Sequence, residues 1–336
     1  MMSDVSQTRL LRLSRHAMAC RFEVLSPPET ITDLQTVYEA LDVVDDVEDM
    51  LSVYREDSAL SRLNRQVSKG PIRVVPDLFA LLQEAHHLWR ETDGCFDITI
   101  GPLIACWGFS HREGKIPTLS ELKRALNRIG MQFLELNTDD LSVSFARDEM
   151  LLNLGAIGKG YALDCAKRKL CASGIDTSII HGGYSSILAW GKESHQNGWS
   201  VGIRHPLIPG RRLAKVELLN QGLSTSGSGE QFFRAQGKRF CHLLDPRSGF
   251  PVEGMLSVTA IAPSAAKADA LSTAFFNLGV EKVARYCDNH PEVAAVVIPH
   301  PVGGGNLRVV PLGSALRGFE MEEHQGVEVI ETPLRI

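Results

Sequence analysis

The chain has 336 residues, about the length of two average domains, of which 44% are hydrophobic and 22% charged. This is ordinary globular composition, and it excludes the disordered and fibrous classes. The net charge is −5, from 35 basic and 40 acidic side chains. We therefore expect no nucleic-acid-binding surface, and a phosphate ligand would have to be met locally by backbone amides or a metal ion.

The first half of the chain contains the clearest helix patterns. Residues 17–25 (AMACRFEVL) predict a strand, and apolar residues at helical spacing follow over 32–51 and again after Pro76. Thr118–Glu121 (TLSE) has the pattern of a capping box and precedes an apolar helical face that stops at Gly130. We predict three helices here.

Strand patterns dominate the second half. Short alternating runs over 133–154 are typical of a β-meander. The later predicted elements are a helix over 159–172, strands within 178–262, helices over 265–277 and 280–289, and strands over 293–298 and 307–310. Strands in runs between pairs of helices predict an α+β fold with mixed, mainly antiparallel sheets and flanking helices, rather than a doubly wound sheet.

The seven cysteines are scattered, and none lies in a C-x-x-C pair or in a cluster with histidines at zinc spacing. This predicts free thiols in a reducing compartment. Residues 1–21 contain no apolar run of the ~7–15 residues found in a secretory signal, and no later segment approaches the ~18 apolar residues of a membrane span. We expect a cytoplasmic protein without a membrane span.

A glycine-rich turn lies at Leu151–Asp164 (LLNLGAIGKGYALD), where an apolar run leads through three glycines into a helix. Glycines allow close backbone approach, and a helix N-terminus offers unpaired N–H groups, so a phosphate could bind here. The spacing is neither a Walker loop nor G-x-G-x-x-G, which argues against a Rossmann dinucleotide fold. A purely structural strand-to-helix turn explains the pattern equally well.

Two further segments contain side chains suited to chemistry. Asp269 and Thr273 are spaced i, i+4 in KADALST, so their oxygens would share one helix face and could bind Mg²⁺; a plain polar face is the alternative. His242 stands near the end of a predicted strand, shortly before Asp245 and Pro246. It could act as a base, although a lone histidine more often has only a structural role.

Together these segments resemble the ApbE family, the FAD:protein FMN transferases, in the order and spacing of their motifs and in the residues within them. The matching segments are AMACRFEV (17–24), SVYREDSALSRLN (52–64), GCFDITIGPL (94–103), NLGAIGKGYALD (153–164), the glycine pair at 182–183, WSVGI (199–203), TSG (225–227), CHLLDPRSGFPV (241–252) and ADALSTA (268–274). The resemblance implies an ApbE-like, T-fold-related architecture of two interlocked lobes. It also implies a single catalytic domain over 15–319, between an N-terminal extension (1–14) and a C-terminal tail (320–336).

The resemblance also implies an activity and a site. FMN would move from FAD to a threonine hydroxyl of an acceptor protein, with release of AMP. Mg²⁺ would be held by the side chains of Asp269 and Thr273 and the carbonyl of Ala156, and His242 takes the place of the family's proposed base. FAD would lie against Met18, Tyr54, the strand formed by Cys95, Phe96 and Asp97, Asn153, Lys159 and Leu244.

Some positions depart from the family pattern. Asn153 stands where an aspartate is usual, Tyr184 follows the glycine pair, and the signal and lipobox of many relatives are missing. Two other activities stay open: a Mg²⁺-dependent FAD pyrophosphatase that yields FMN and AMP, and a flavin-binding protein without catalysis. The presence of Asp269, Thr273 and His242 argues against the inactive protein.

Overall fold

The computed structural model describes residues 10–331, except 32, 67–69, 112, 194–196, 302 and 324. Its strands are β1 (Leu11–Ala17), β2 (Cys20–Ser26), β3 (Ile72–Arg73), β4 (Leu134–Asn137), β5 (Ser142–Phe145), β6 (Ser178–Gly182), β7 (Ser186–Trp190), β8 (Trp199–Arg204), β9 (Arg212–Leu218), β10 (Gln221–Gly227), β11 (Phe232–Ala235), β12 (Lys238–Cys241), β13 (Met255–Ala262), β14 (Ala294–Pro299), β15 (Leu307–Leu312), β16 (Arg317–Met321) and β17 (Val327–Val329). Its α-helices are α1 (Leu34–Leu51), α2 (Ala59–Gln66), α3 (Pro76–Glu91), α4 (Gly101–Cys106), α5 (Leu119–Leu126), α6 (Gly158–Ala172), α7 (Ala265–Leu278) and α8 (Val280–Asn289).

A nine-stranded sheet organises the molecule, in the order β1-β2-β6-β7-β10-β13-β14-β15-β17. Its pairs are antiparallel, except that β17 runs parallel to β15. Helices α1, α6 and α7 pack against the nine-stranded sheet and form the largest hydrophobic core with it. The three-stranded sheet β16-β9-β8 forms a second core with other residues of the nine-stranded sheet. The predicted α+β class, with mainly antiparallel sheets and flanking helices, is confirmed.

The predicted helices are confirmed to within a few residues. The capping box forms as expected: the Glu121 N–H donates to Thr118 Oγ1 at 3.2 Å, and the Thr118 N–H donates to a Glu121 carboxylate oxygen at 2.8 Å. The helix predicted from residue 32 begins at Leu34, after its N-cap Asp33; residue 32 itself lies outside the described residues.

The strand predicted over 17–25 was wrong at its start. Ala17 ends β1, and Met18 and Ala19 form a two-residue turn with φ of 48° and 56° before β2 begins at Cys20. Such turns need positive φ at both central residues and are usually marked by Asn or Gly. Because neither residue type is present here, the sequence contains no hairpin pattern to recognise.

Paired strands extend past both predicted domain boundaries. β1 begins at Leu11, inside the predicted extension, and β17 lies in the predicted tail, where it pairs with β15. Residues 1–9 and 332–336 lie outside the described residues. No helix in the described parts of the chain is long and apolar enough to span a membrane.

Helices α6 and α7 approach each other closely. A Cβ atom at Gly160 would lie 2.1 Å from the Ala265 carbonyl oxygen, so only glycine permits this contact. The Asp164 carboxylate accepts from the N–H groups of Ala265 and Ala266 at 2.9 and 2.8 Å, which caps the start of α7. This junction positions the first turns of α7, where Asp269 lies.

Candidate functional site

A cavity of about 270 Å³ lies where α6, α7, the end of β10 and the segment after β12 meet. Eleven of the twelve site residues predicted from the sequence line it: Tyr54, Cys95, Phe96, Asp97, Asn153, Ala156, Lys159, His242, Leu244, Asp269 and Thr273. Met18 is not part of this lining; it lies in the β1–β2 turn and packs against the main core. The structure therefore brings together segments that are far apart in the sequence.

Asp269 is a buried acidic group of this cavity, with 4% of its surface exposed. Its Oδ1 accepts from the hydroxyls of Ser186 at 3.1 Å and Ser224 at 2.8 Å, and its Oδ2 accepts from the Gly160 N–H at 3.1 Å. The Lys159 ammonium lies 3.7 Å from Oδ1. Three donors and a nearby cation fix the orientation of this carboxylate.

The three glycine N–H groups of the glycine-rich turn are already occupied. The Gly155 N–H donates to Asn153 Oδ1 at 2.9 Å, the Gly158 N–H to the Leu154 carbonyl at 2.8 Å, and the Gly160 N–H to Asp269. The three glycine amides are therefore not available to a phosphate. The neighbouring cation available for phosphate charge is Lys159, which lines the cavity.

Hydroxyl groups gather beside Asp269. Ser226 Oγ lies 2.8 Å from Ser272 Oγ and 3.4 Å from Thr273 Oγ1, at the end of β10. Ala156 lines the same cavity. Among the residues described, no cluster of three or more His, Cys, Asp or Glu could hold a metal ion. A metal here would therefore be bound by one carboxylate and neutral oxygens.

His242 directly follows β12 and is partly buried. Its Nδ1 lies 3.0 Å from the Gln231 carbonyl, which also accepts from the His242 backbone N–H at 3.0 Å. Because a carbonyl can only accept, Nδ1 bears the hydrogen and Nε2 of the neutral ring is the acceptor. Burial lowers the pKa of His242, as does nearby Lys159 to a lesser degree, so the neutral ring is favoured.

The segment Cys95–Asp97, expected as a strand, is an irregular turn after α3. Asp97 Oδ1 accepts from the Thr99 N–H at 2.7 Å and from its hydroxyl at 2.5 Å, and Oδ2 accepts from the Met131 N–H at 3.3 Å. This side-chain bonding to the local backbone replaces a strand ladder. Burial raises the pKa of Asp97, although the same hydrogen bonds oppose the shift.

Sequence reasoning missed several residues of the site. Ser186 and Ser224 hold Asp269 but lie 83 and 45 residues away along the chain, on separate strands. Glu230 and Gln231 also line the cavity. Desolvation raises the pKa of Glu230, and the positive charges of Lys159 and Arg204 act against that shift. No residue pattern in the sequence marks these contacts, because they arise only from strand pairing.

Comparisons with known proteins agree with this architecture. The ApbE family matches residues 18–297. A FAD:protein FMN transferase from Haemophilus influenzae is 31% identical over 303 residues, covering 87% of this chain and 87% of the relative. Another FAD:protein FMN transferase, from Treponema pallidum, is 32% identical over 294 residues, covering 83% of this chain and 81% of the relative.

Solved structures show the same arrangement of sheets and helices. The crystal structure of the ApbE protein from Thermotoga maritima matches with a TM-score of 0.80 at 25% identity, covering 87% of this chain and 94% of that one. The flavin transferase ApbE from Vibrio cholerae matches with a TM-score of 0.79 at 26% identity, covering 91% and 98%. Since the family match extends over most of the sequence, this chain belongs to the ApbE family.

Proposed function

We propose that this protein is a FAD:protein FMN transferase, which moves FMN from FAD to a threonine hydroxyl of an acceptor protein and releases AMP. The supporting observation is one cavity lined by a buried carboxylate, a lysine and a neutral histidine with an acceptor nitrogen. These groups suit the needs of phosphoryl transfer: metal binding, charge neutralisation and proton acceptance. Family membership and the names of the two curated relatives support the same activity.

The reaction conserves atoms and electrons. The threonine Oγ forms a bond to the phosphorus on the FMN side of the FAD pyrophosphate, and the bond from that phosphorus to the bridging oxygen breaks. AMP leaves with the bridging oxygen, and the hydroxyl proton passes to Nε2 of His242. The flavin ring takes no part, so its oxidation state is unchanged. His242 thus acts as general base on the acceptor alone.

FAD would lie in the cavity against the predicted residues that line it. These are Tyr54, Cys95, Phe96, Asp97, Asn153, Lys159 and Leu244. Lys159 would neutralise pyrophosphate charge, because the glycine amides nearby are already paired. Met18 is left out of this set, since it lies in the β1–β2 turn and does not contribute to the cavity wall.

The residues present fit a magnesium ion. Asp269 offers a carboxylate, Thr273 a hydroxyl and Ala156 a backbone carbonyl, which are the hard oxygen donors that Mg²⁺ prefers. With a single carboxylate, the remaining coordination would come from water and substrate phosphate, as is usual for Mg²⁺. When bound, the ion would stabilise negative charge on the phosphate oxygens.

We place the enzyme in the cytoplasm because its thiols are unpaired. All seven cysteines are free in the structure, and four of them are buried. Unpaired thiols are typical of a reducing compartment.

The activity is tested by incubating the protein with FAD and Mg²⁺, with and without a peptide carrying a flavinylation motif, and weighing the products. A transferase adds FMN to the peptide and releases one AMP per FMN added, and a matched peptide with valine for the threonine receives none. Equal FMN and AMP formation without any labelled peptide would instead identify a FAD pyrophosphatase. No cleavage of FAD under either condition would contradict both activities.

A further inference from the structure

A second cavity, of about 450 Å³, adjoins the first beside His242. Its walls include Phe232 and Phe233, together with Phe109, Glu230, Gln231 and His242, which also line the first cavity. His242 therefore lies between two spaces. If FAD occupies the first, the second gives another molecule access to the same imidazole.

Strand β11 borders this second cavity with an unpaired edge. Phe232 and Phe233 of β11 line the cavity, together with Gln231 before β11 and His242 after β12. Within the described chain β11 pairs only with β12, and the pair forms a sheet of two strands. The outer edge of β11 is therefore unpaired among the described residues.

The register of the hairpin shows which backbone groups face that edge. His242 lies opposite Gln231, and its N–H donates to the Gln231 carbonyl at 3.0 Å. Hydrogen-bonded and non-hydrogen-bonded pairs alternate along antiparallel strands, so Phe232 and Arg234 belong to non-hydrogen-bonded pairs. Their N–H and C=O groups point away from β12, and none of the described residues hydrogen-bonds to them.

We propose that an extended segment of the acceptor protein pairs with this outer edge of β11 and so presents its threonine to His242 in the second cavity. This inference rests on the proposed transferase activity. An unpaired strand edge binds extended polypeptide through main-chain hydrogen bonds, independently of most side chains. The exposed Phe232 ring, with 41% of its surface accessible, offers apolar contact; its other neighbour is the Arg239 guanidinium of β12, 3.8 Å from the ring centre. Hydrolysis of FAD uses water in place of the threonine and needs no strand edge, so this edge would serve FMN transfer and not FAD hydrolysis.

The probe is the proposed reaction product, made by synthesis. It is a peptide in which a threonine is joined through its Oγ to FMN by a phosphodiester and has three alanines on each side. Its affinity is measured by flavin fluorescence and compared with that of FMN-threonine amide, which lacks the flanks. Because main-chain pairing does not depend on side chains, the alanine flanks should raise affinity roughly tenfold, as expected for a few net hydrogen bonds. Equal affinities of the two compounds would overturn the docking proposal.

Two variants isolate the strand edge. Arg234→Pro removes the outward N–H without touching a β11–β12 bond, and proline is tolerated on edge strands. Arg234→Ala loses the same side chain but keeps the N–H. We expect the tenfold gain to be lost in Arg234→Pro and kept in Arg234→Ala; loss in both or in neither would overturn the proposal.

A second measurement leaves the protein intact. N-methylation of the alanine flanks should abolish their gain on the wild-type protein, and an unchanged gain would overturn main-chain pairing even if Arg234→Pro failed to fold. Failure of the transferase assignment gives a different result, because FMN-threonine amide would then bind no better than a simple phosphodiester and no FMN would be transferred to an acceptor peptide.

Discussion

Two aspartates line the same cavity, and their hydrogen-bond partners assign them different roles. Asp97 accepts three bonds from the local backbone and hydroxyl of Thr99 and from Met131, which ties the turn after α3 to a neighbouring loop. Asp269 accepts from groups on α6, β7 and β10, and lies beside a cation. We infer that Asp97 stabilises the fold and that Asp269 serves the reaction.

Replacement of each aspartate by asparagine separates these roles. Asp269→Asn should remove nearly all Mg²⁺-dependent FAD cleavage, because the carboxylate proposed to bind the metal is lost. It should also cost some stability, since the asparagine NH₂ cannot accept the hydrogen bonds that the Gly160 N–H and the two serine hydroxyls donate to the carboxylate. Asp97→Asn should cost roughly 1–3 kcal/mol of stability, through an unsatisfied buried group, and retain turnover at saturating FAD. Chemical unfolding and AMP release measure the two effects. Undiminished turnover in Asp269→Asn would refute the metal assignment.

His242→Ala should reduce FMN transfer by roughly 10²–10⁴-fold, the usual contribution of a positioned base, and leave FAD affinity nearly unchanged. In the wild type, a protonated Nε2 cannot accept the threonine proton, so the rate of FMN transfer should fall as the pH drops. Since burial lowers the pKa of His242, this acidic limb should lie below about 6.5 and be absent in the variant.

The control for that variant is His87→Ala, since the His87 side chain lies on the surface of α3 with 70% exposure. It should leave transfer, FAD binding and the pH profile unchanged. The base assignment would be contradicted by a His242→Ala protein that binds FAD poorly but transfers FMN at the normal rate at saturation, because His242 would then serve only to order the cavity wall.

At the scale of elements, the junction of α6 with α7 determines where the catalytic groups lie. Two glycines in the first turn of α6 provide a matched pair for testing it. A Cβ at Gly160 would meet the Ala265 carbonyl oxygen at 2.1 Å, whereas one at Gly158 would meet only a Leu51 methyl group at 3.5 Å. Neither position has a positive φ, so the comparison reports packing alone.

Gly160→Ala should lower the free energy of unfolding by about 2–3 kcal/mol, since the backbone of α7 must move to admit the methyl group. It should also reduce FAD cleavage, because the Gly160 N–H donates to Asp269. Gly158→Ala should change stability by at most about 1 kcal/mol, in the stabilising direction, because alanine is the better helix former. Urea unfolding of both proteins checks this, and equal losses would contradict the packing argument.

The cap of α7 predicts a pH dependence of stability. Burial raises the pKa of Asp164 to about 6, although the two amides it caps oppose the shift. The folded state thus holds this proton more tightly than the unfolded state, so the stabilisation is present below about pH 4 and is lost as the pH rises towards 6. Relative to Asp164→Asn, which cannot titrate, wild-type stability should fall by on the order of 2–3 kcal/mol across that window. Urea unfolding at several pH values checks this, and a constant difference would contradict it.

The sequence predicts those parts of the fold that depend on residues close together in the chain. The helices followed from apolar periodicity and from the capping box at Thr118, because both depend on residues a few positions apart. The β1–β2 turn at Met18 and Ala19 was missed, because its residue types do not indicate positive φ. Sheet order could not be read at all, since β2 pairs with β6 and β10 with β7 and β13 across long stretches of chain.

The same limit applies to the site. Motif resemblance placed eleven of twelve chosen residues on one cavity, because the motifs themselves are local. The serines that orient Asp269 and the bond from the Gly160 N–H to Asp269 were not predictable, since they depend on how α6, α7, β7 and β10 meet. We therefore propose Lys159, which lines the cavity, for the phosphate role first considered for the glycine turn.

At the scale of the whole molecule, the cysteines divide by burial. Cys95, Cys165, Cys241 and Cys287 are buried, whereas Cys20, Cys106 and Cys171 are partly exposed. Burial raises the pKa of Cys95 to about 11 and that of Cys287 to about 12, so their reactive thiolates are scarce at neutral pH.

We therefore expect native protein, purified without reductant, to react with an aromatic disulfide reagent at no more than three positions, and denatured protein to react at all seven cysteines. Peptide mass spectrometry should assign the native labels to Cys20, Cys106 and Cys171, since thiolate character and exposure together control the rate. Lowered temperature, which suppresses local opening, is the control for labels at buried sites. A denatured count of five or fewer would reveal a disulfide and contradict both the unpaired thiols and the cytoplasmic location inferred from them.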